Sequence, residues 1–145
     1  NLTAILWQKN CLFGNYTKKM KKVYIETPIG DIIDKLTILE IKKKKISKKE
    51  HLRQINKEYS SLKKTLKKNI KIDRKLKVLW KDLFHTNLKI WEMENFKREA
   101  QKYLEKITNV ATNVYESNDN RAKIKLKINK ITGSNIREVK KYSKY

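Results

Sequence analysis

Asn87, Glu94 and Arg98 fall on the same arc of a helical wheel as Leu76, Trp80 and Leu83. They occupy the centre of an apolar stripe, where a polar or charged side chain is expensive unless it finds a partner. Glu40 projects in the direction of Ile29, Ile33 and Leu36, and Arg121 and Lys125 border the arc of Ile124 and Ile128. Three acids (Glu40, Glu94, Asp119) and three bases (Arg98, Arg121, Lys125) are therefore in position to meet inside one helical bundle. Such a set has definite chemistry. Arginine offers a planar fork that fits phosphate or carboxylate, and lysine adds a point charge. The carboxylates orient those cations, hold a cation of their own, or act as acid and base. Asn87 and Asn118 would donate further hydrogen bonds. Lysine is the default cation in this chain, with only five arginines among 37 basic residues, so two arginines in the set suggest bidentate pairing.

The same six charges also make a satisfied ion-pair network that fixes helix register and binds nothing. Other chemistry finds less support. Metal catalysis lacks a ligand motif: His51 and His85 have no second His or Cys at ligand spacing, and the single Cys11 builds neither a disulfide nor a cysteine zinc site. There is no Gly-rich phosphate loop and no Gly-x-Ser-x-Gly elbow. The paired Glu-x-x-Glu and Glu-x-x-Asp helices of all-α nucleotide pyrophosphohydrolases are absent, as is the early-helix arginine of chorismate-mutase-like enzymes. Asp31 and Asp34, one turn apart, suit compensation of a helix dipole, and Trp80 and Trp91 are core residues before they are stacking platforms.

The elements that must carry these residues are helical. Thr27-Pro28 predicts a helix start, Thr as cap and Pro at the first turn, followed by Ile29, Ile32, Ile33, Leu36 and Leu39 to about Lys45. Ser47-Lys48-Lys49-Glu50 reads as a capping box, and Leu52, Ile55, Tyr59, Leu62 and Leu66 form a heptad seam behind it. A third helix starts near Asp73. A fourth is expected over 101–117, with Leu104, Ile107, Val110, Ala111 and Val114 inward. The polar break Asn118-Asp119-Asn120 then caps a fifth, carrying Ile124, Ile128 and Ile131 and stopped by Gly133. Period-two alternation over 124–128 also fits a strand, but the neighbouring helices favour helix. Val23-Tyr24-Ile25 reads as extended. The expectation is an all-α antiparallel bundle of four to five helices over residues 23–135, a flexible N-terminal extension over 1–22 with Met20 as the natural start, and a basic C-terminal tail over 136–145.

Three Gly and one Pro in 145 residues leave too few turns for a β-sandwich or barrel. No apolar run approaches the ~20 residues of a membrane span, and no signal-peptide pattern is present, which points to a cytoplasmic protein. The formal net charge of +22 suggests nucleic acid, yet lysine supplies most of it. Lys, Ile and Asn share AT-rich codons, a competing cause of the excess. The charge is also uneven: residues 41–81 carry a net +14, whereas residues 82–119 carry −2. Lys49, Arg53, Lys57, Lys64, Lys67, Lys68 and Lys71 lie opposite the heptad seam, as a solvated face or as a nucleic-acid stripe.

The run from Pro28 to Lys42 (Pro-Ile-Gly-Asp-Ile-Ile-Asp-Lys-Leu-Thr-Ile-Leu-Glu-Ile-Lys) resembles the opening of an uncharacterised group of small bacterial proteins, a domain-of-unknown-function family numbered 6165. Asn87, Ile90-Trp91, Glu94, Arg98, Tyr115, Asn118-Asp119 and Arg121 fit the same pattern, followed by Lys125, Asn129, Gly133-Ser134, Glu138, Lys140 and Tyr142. Ile90 stands where Leu is expected and Val139 where a second Glu is expected. The resemblance covers about residues 23–142 and implies a helical cytoplasmic protein, with no reaction. Its positions coincide with the stripe-polar ones. The candidate ligand site is therefore Glu40, Asn87, Trp91, Glu94, Arg98, Tyr115, Asn118, Asp119, Arg121 and Lys125, for a small anionic ligand such as a phosphorylated metabolite or nucleotide sugar. Nucleic-acid binding through the lysine face and a purely structural or partner-binding bundle are the two rivals. Neither a cofactor nor an oligomeric state is specified by the sequence.

Overall fold

The computed structural model describes residues 25–99, 107–136 and 138–139. The N-terminal extension, Val23-Tyr24, the expected helical segment at 101–106 and most of the C-terminal tail lie outside the described residues. Among the described residues there are four helices: α1 (Ile29–Lys45), α2 (Lys49–Asn69), α3 (Arg74–Glu99) and α4 (Ile107–Ile131). Helix α1 packs against all three others, and α4 also packs along α3. The core lies between these faces, from Ile33, Leu36, Leu66, Leu76, Leu83, Ile124 and Ile128, with Tyr59, Leu62 and Trp80 against its margin. Each fully buried Leu or Ile there contributes roughly 1.5–3 kcal/mol over leaving it in water. The all-α bundle expected from periodicity is the fold observed.

The local signals at helix ends divide into those realised and those overridden. Asp73 caps α3, its Oδ1 accepting from the Leu76 N–H at 2.8 Å. Gly133 takes a positive φ of 65° just beyond α4, the left-handed stop that glycine permits. Thr27 does not cap α1. Pro28 occupies the cap position, and its carbonyl accepts from Asp31 and Ile32. The first free N–H groups of α1 are instead satisfied from the far end of the chain. Ser134 Oγ accepts from the Ile29 N–H at 3.2 Å, and Asn129 Oδ1 accepts from the Gly30 N–H. Gly30 is what lets α4 come this close, since a Cβ there would lie 2.7 Å from the Lys125 carbonyl oxygen.

The expected Ser47 capping box does not form: α2 begins at Lys49, with Lys48 at the cap and no side-chain cap bond. The polar break at 118–120 does not end a helix either, because α4 runs through it without interruption. Each amide there has a partner that suits a helix interior. Asn118 Nδ2 donates to the Val114 carbonyl one turn back, and Asn120 Nδ2 reaches Thr86 Oγ1 on α3 at 3.2 Å. The ambiguous run 124–128 is helical. Ile131, expected inward, is 48% exposed at the end of α4.

Candidate functional site

The ten candidate residues do not converge on one point. Glu40 turns toward α2, where its carboxylate accepts from Tyr59 Oη at 2.9 Å. Lys63 Nζ donates to the same phenol oxygen at 3.0 Å, and Lys43 stands over the ring. Burial pushes the Tyr59 phenol up from its ordinary pKa, and the phenol bond in turn raises Lys63. Glu40 thus borders a shallow groove with Lys44, Trp80 and Phe84, away from the other candidates. Tyr115 is 65% exposed on α4. Asn118 spends an amide hydrogen on its own helix, as described above.

The remaining residues divide between two clefts on either side of α4. One, of about 390 Å³, is lined by Asp119, Lys125, Asn129 and Glu138, among others. Lys125 is its centre. The side chain is 14% exposed and its Nζ lies 2.6 Å from Asp31 Oδ1 and 2.8 Å from Glu138 Oε2. Desolvation lowers the lysine pKa, but the bonds to Asp31 and Glu138 outweigh it, and the net direction is up. Lys125 is therefore closed by its own carboxylates.

The second cleft, of about 310 Å³, is lined by Ile38 and Ile41 of α1, by Asn87, Ile90, Trp91, Glu94, Asn95 and Arg98 of α3, and by Arg121 of α4. Five of the ten candidates meet here. The Asn120–Thr86 bond sets the register of α4 on α3, so Arg121 stands beside the Asn87 turn. Arg98 lies eleven residues further along α3, about 16 Å in axial rise. The cleft thus has a cation toward each end, with Trp91 and Glu94 between them. Glu94 pairs weakly with Lys97 at 3.4 Å and not with either arginine. Among the described residues neither Arg98 nor Arg121 has an ion pair. Arg98, on the inward arc of the wheel, is nonetheless exposed at the rim.

Asn87 is the floor of this cleft, 4% exposed. Its Nδ2 donates to Asp34 Oδ1 at 2.7 Å and to Thr37 Oγ1 at 2.8 Å. The amide hydrogens expected to serve a ligand are therefore committed to α1. Asp31, Asp34 and Thr37 were not among the sequence candidates. Read as dipole compensators, the two aspartates also carry polar contacts to α3 and α4. The signal for them was the three-residue spacing of 31, 34 and 37, which draws one polar stripe beside Ile33 and Leu36.

Among the described residues, no three His, Cys, Asp or Glu side chains gather as a metal ion would require. No described helix is long and apolar enough to cross a membrane. The fold is a small all-α bundle, with a partly apolar cleft between α1, α3 and α4 that carries an arginine toward each end. The chain belongs to a family of unknown function (DUF6165), whose model matches residues 21–145. No curated protein and no solved structure shows significant similarity to it.

Proposed function

We propose that this protein binds a small anionic ligand, bearing phosphate or carboxylate, in the cleft lined by Asn87, Trp91, Glu94, Arg98 and Arg121. One observation carries the reading: two arginines of a lysine-rich chain line one cleft without an ion pair among the described residues. A register-fixing network would spend those guanidinium groups on Glu94, whose carboxylate instead faces Lys97. An arginine without a carboxylate partner keeps its fork for a ligand oxygen, where charge-assisted bonds are strong. Lys125, closed by Asp31 and Glu138, lies outside this ligand set.

Titration with ethyl phosphate and with acetate, followed by calorimetry and by backbone amide shifts in physiological salt, tests it. Saturable one-to-one binding that vanishes in the Arg98→Gln/Arg121→Gln variant is expected. Binding that survives there but is lost in Lys64→Gln/Lys67→Gln/Lys68→Gln would show diffuse attraction to a basic protein and sink the reading.

The nucleic-acid alternative rests on a different observation. Lys49, Arg53, Lys57, Lys64, Lys67, Lys68 and Lys71 are all exposed, and none is ion-paired among the described residues. That reading expects oligonucleotide affinity that falls steeply with salt and disappears when this face is neutralised.

A further inference from the structure

Asn87 cannot turn its amide around. Thr37 donates its hydroxyl hydrogen to the Asp34 carbonyl at 2.7 Å, so Thr37 Oγ1 can only accept from Asn87. The other neighbour is the Asp34 carboxylate, also an acceptor. Exchanging the amide oxygen and nitrogen would set oxygen against oxygen at both contacts. The orientation is fixed, and Oδ1 is the arm left over. It is buried and has no hydrogen-bond partner among the described residues. A buried carbonyl left unpaired is costly, and a partner that restores the bond is correspondingly favoured.

Two turns along α3, Glu94 brings a carboxylate to the same cleft, with the Trp91 ring between. A ligand that is only an anion gains from Arg98 and Arg121 but meets repulsion from Glu94, with the Asp34 charge behind Asn87. It also leaves Asn87 Oδ1 unsatisfied. A ligand that adds a neutral hydroxyl answers Asn87 and leaves Glu94 facing the anion. A cationic amine answers both acceptors and lies well against an aromatic face. Resting on the anion-site reading above, we infer that the cleft takes a zwitterion: a small molecule carrying a phosphate or carboxylate together with an ammonium group, the class of amino phosphates and amino acids. The ammonium lies against Trp91, toward Asn87 Oδ1 and within the field of the Glu94 carboxylate, and the anion pairs with Arg121 beside the Asn87 turn. A volume of about 310 Å³ is ample for such a ligand.

The probe pair is O-phosphoethanolamine and ethyl phosphate, one phosphate monoester with and without the ammonium. Bulk electrostatics of a +22 chain favour ethyl phosphate, which carries the larger net negative charge. The inference expects the reverse, with O-phosphoethanolamine bound about tenfold more tightly. Glu94→Gln keeps the shape and removes the charge. It should cut the preference below about threefold while ethyl phosphate affinity holds or improves. In the unaltered protein the Asn87 side-chain carbonyl carbon should shift on titration with O-phosphoethanolamine and stay put with ethyl phosphate. If ethyl phosphate binds as tightly or better and Arg98→Gln/Arg121→Gln abolishes it, the anion site stands and the zwitterion falls. If neither probe binds, both readings fall. A preference that survives Glu94→Gln and leaves the Asn87 carbon unmoved places the ammonium elsewhere and overturns the inference.

Discussion

Gly30→Ala tests the close approach of α1 to α4. A Cβ at Gly30 would lie 2.7 Å from the Lys125 carbonyl oxygen and 2.8 Å from Asn129 Oδ1. In an open helix the exchange would gain up to about 1 kcal/mol, because alanine is the better helix former. Here the obstructing oxygen belongs to the backbone of α4, which cannot swing aside as a side chain would. Overpacking of this kind costs about 1–3 kcal/mol. Pushing Asn129 away also strips the buried Gly30 N–H of its acceptor, for about 1–3 kcal/mol more. The net is a destabilisation of about 3 kcal/mol, or a fall in Tm of roughly 10 °C for a chain of this size. Urea unfolding followed by far-UV circular dichroism measures it, the midpoint moving with an unchanged slope. Gly133→Ala is the matched control, for Gly133 has a positive φ of 65° and nothing within 4 Å of a built Cβ. Its cost is backbone strain alone, about 1–2 kcal/mol, and Gly133→Asn should recover part of it. A Gly30→Ala protein as stable as wild type would refute the close approach and the cross-bundle cap with it.

Further outcomes follow from the same contacts. Ser134→Ala removes the acceptor for the Ile29 N–H and should cost about 0.5–2 kcal/mol in urea unfolding; a change within error would mean that solvent caps α1. Lys125 has a raised folded pKa, so its contribution is complete below the unfolded value of about 10.4 and is lost as pH rises through the folded value. Wild type should therefore lose more stability than Lys125→Met between neutral pH and about pH 11, and parallel curves would count against the paired lysine. Asn87→Asp sets a second carboxyl beside Asp34, so one of the two takes a proton in the fold and its pKa rises. The penalty should be small below the unfolded carboxyl value of about 3.9 and widen as pH rises toward neutral; a gap in Tm that ignores pH would show that the two groups do not meet.

Periodicity was sufficient for α1, α2, α3 and the C-terminal half of α4, because each has an apolar stripe packed on one side. It failed where a long-range partner overrode a local rule. Asn and Asp favour helix caps because their side chains reach nearby backbone, which made 118–120 look like a boundary. The Val114 carbonyl and Thr86 supply the alternatives that keep α4 whole, and only Thr86 is remote in sequence. Thr27 and Ser47 are good caps in isolation. Ser134 displaces the first from a distance of 105 residues. The wheel put Asn87, Glu94 and Arg98 on one inward face, and the three do line one cleft, with Asn87 buried and Arg98 exposed at the rim, but a wheel carries no axial coordinate. It therefore compressed residues spread over several turns into one point, and it could not show that Glu40 would turn to Tyr59 on α2.

Polar groups inside the bundle separate by whether the chain completes them. Lys125 with Asp31 and Glu138, Asn129 with Gly30, and Ser134 with Ile29 are each closed by the fold's own atoms. Their presence is explained by holding α1, α4 and the C-terminal segment in register. Asp34, Thr37 and the Asn87 amide hydrogens close in the same way across α1 and α3. In the second cleft, among the described residues, Asn87 Oδ1, the two guanidinium groups and a carboxylate held only by Lys97 at 3.4 Å stay open. Stability does not require Glu94 and Arg98 as charges, since partly or largely exposed charges without a close partner contribute at most about 1 kcal/mol. Replacing Glu94 and Arg98 together by Leu therefore separates structure from binding. The protein should hold or gain stability in urea while losing affinity for ethyl phosphate. Equal or higher stability with affinity intact would leave the cleft without a function, and a large loss of stability would make these charges part of the scaffold after all.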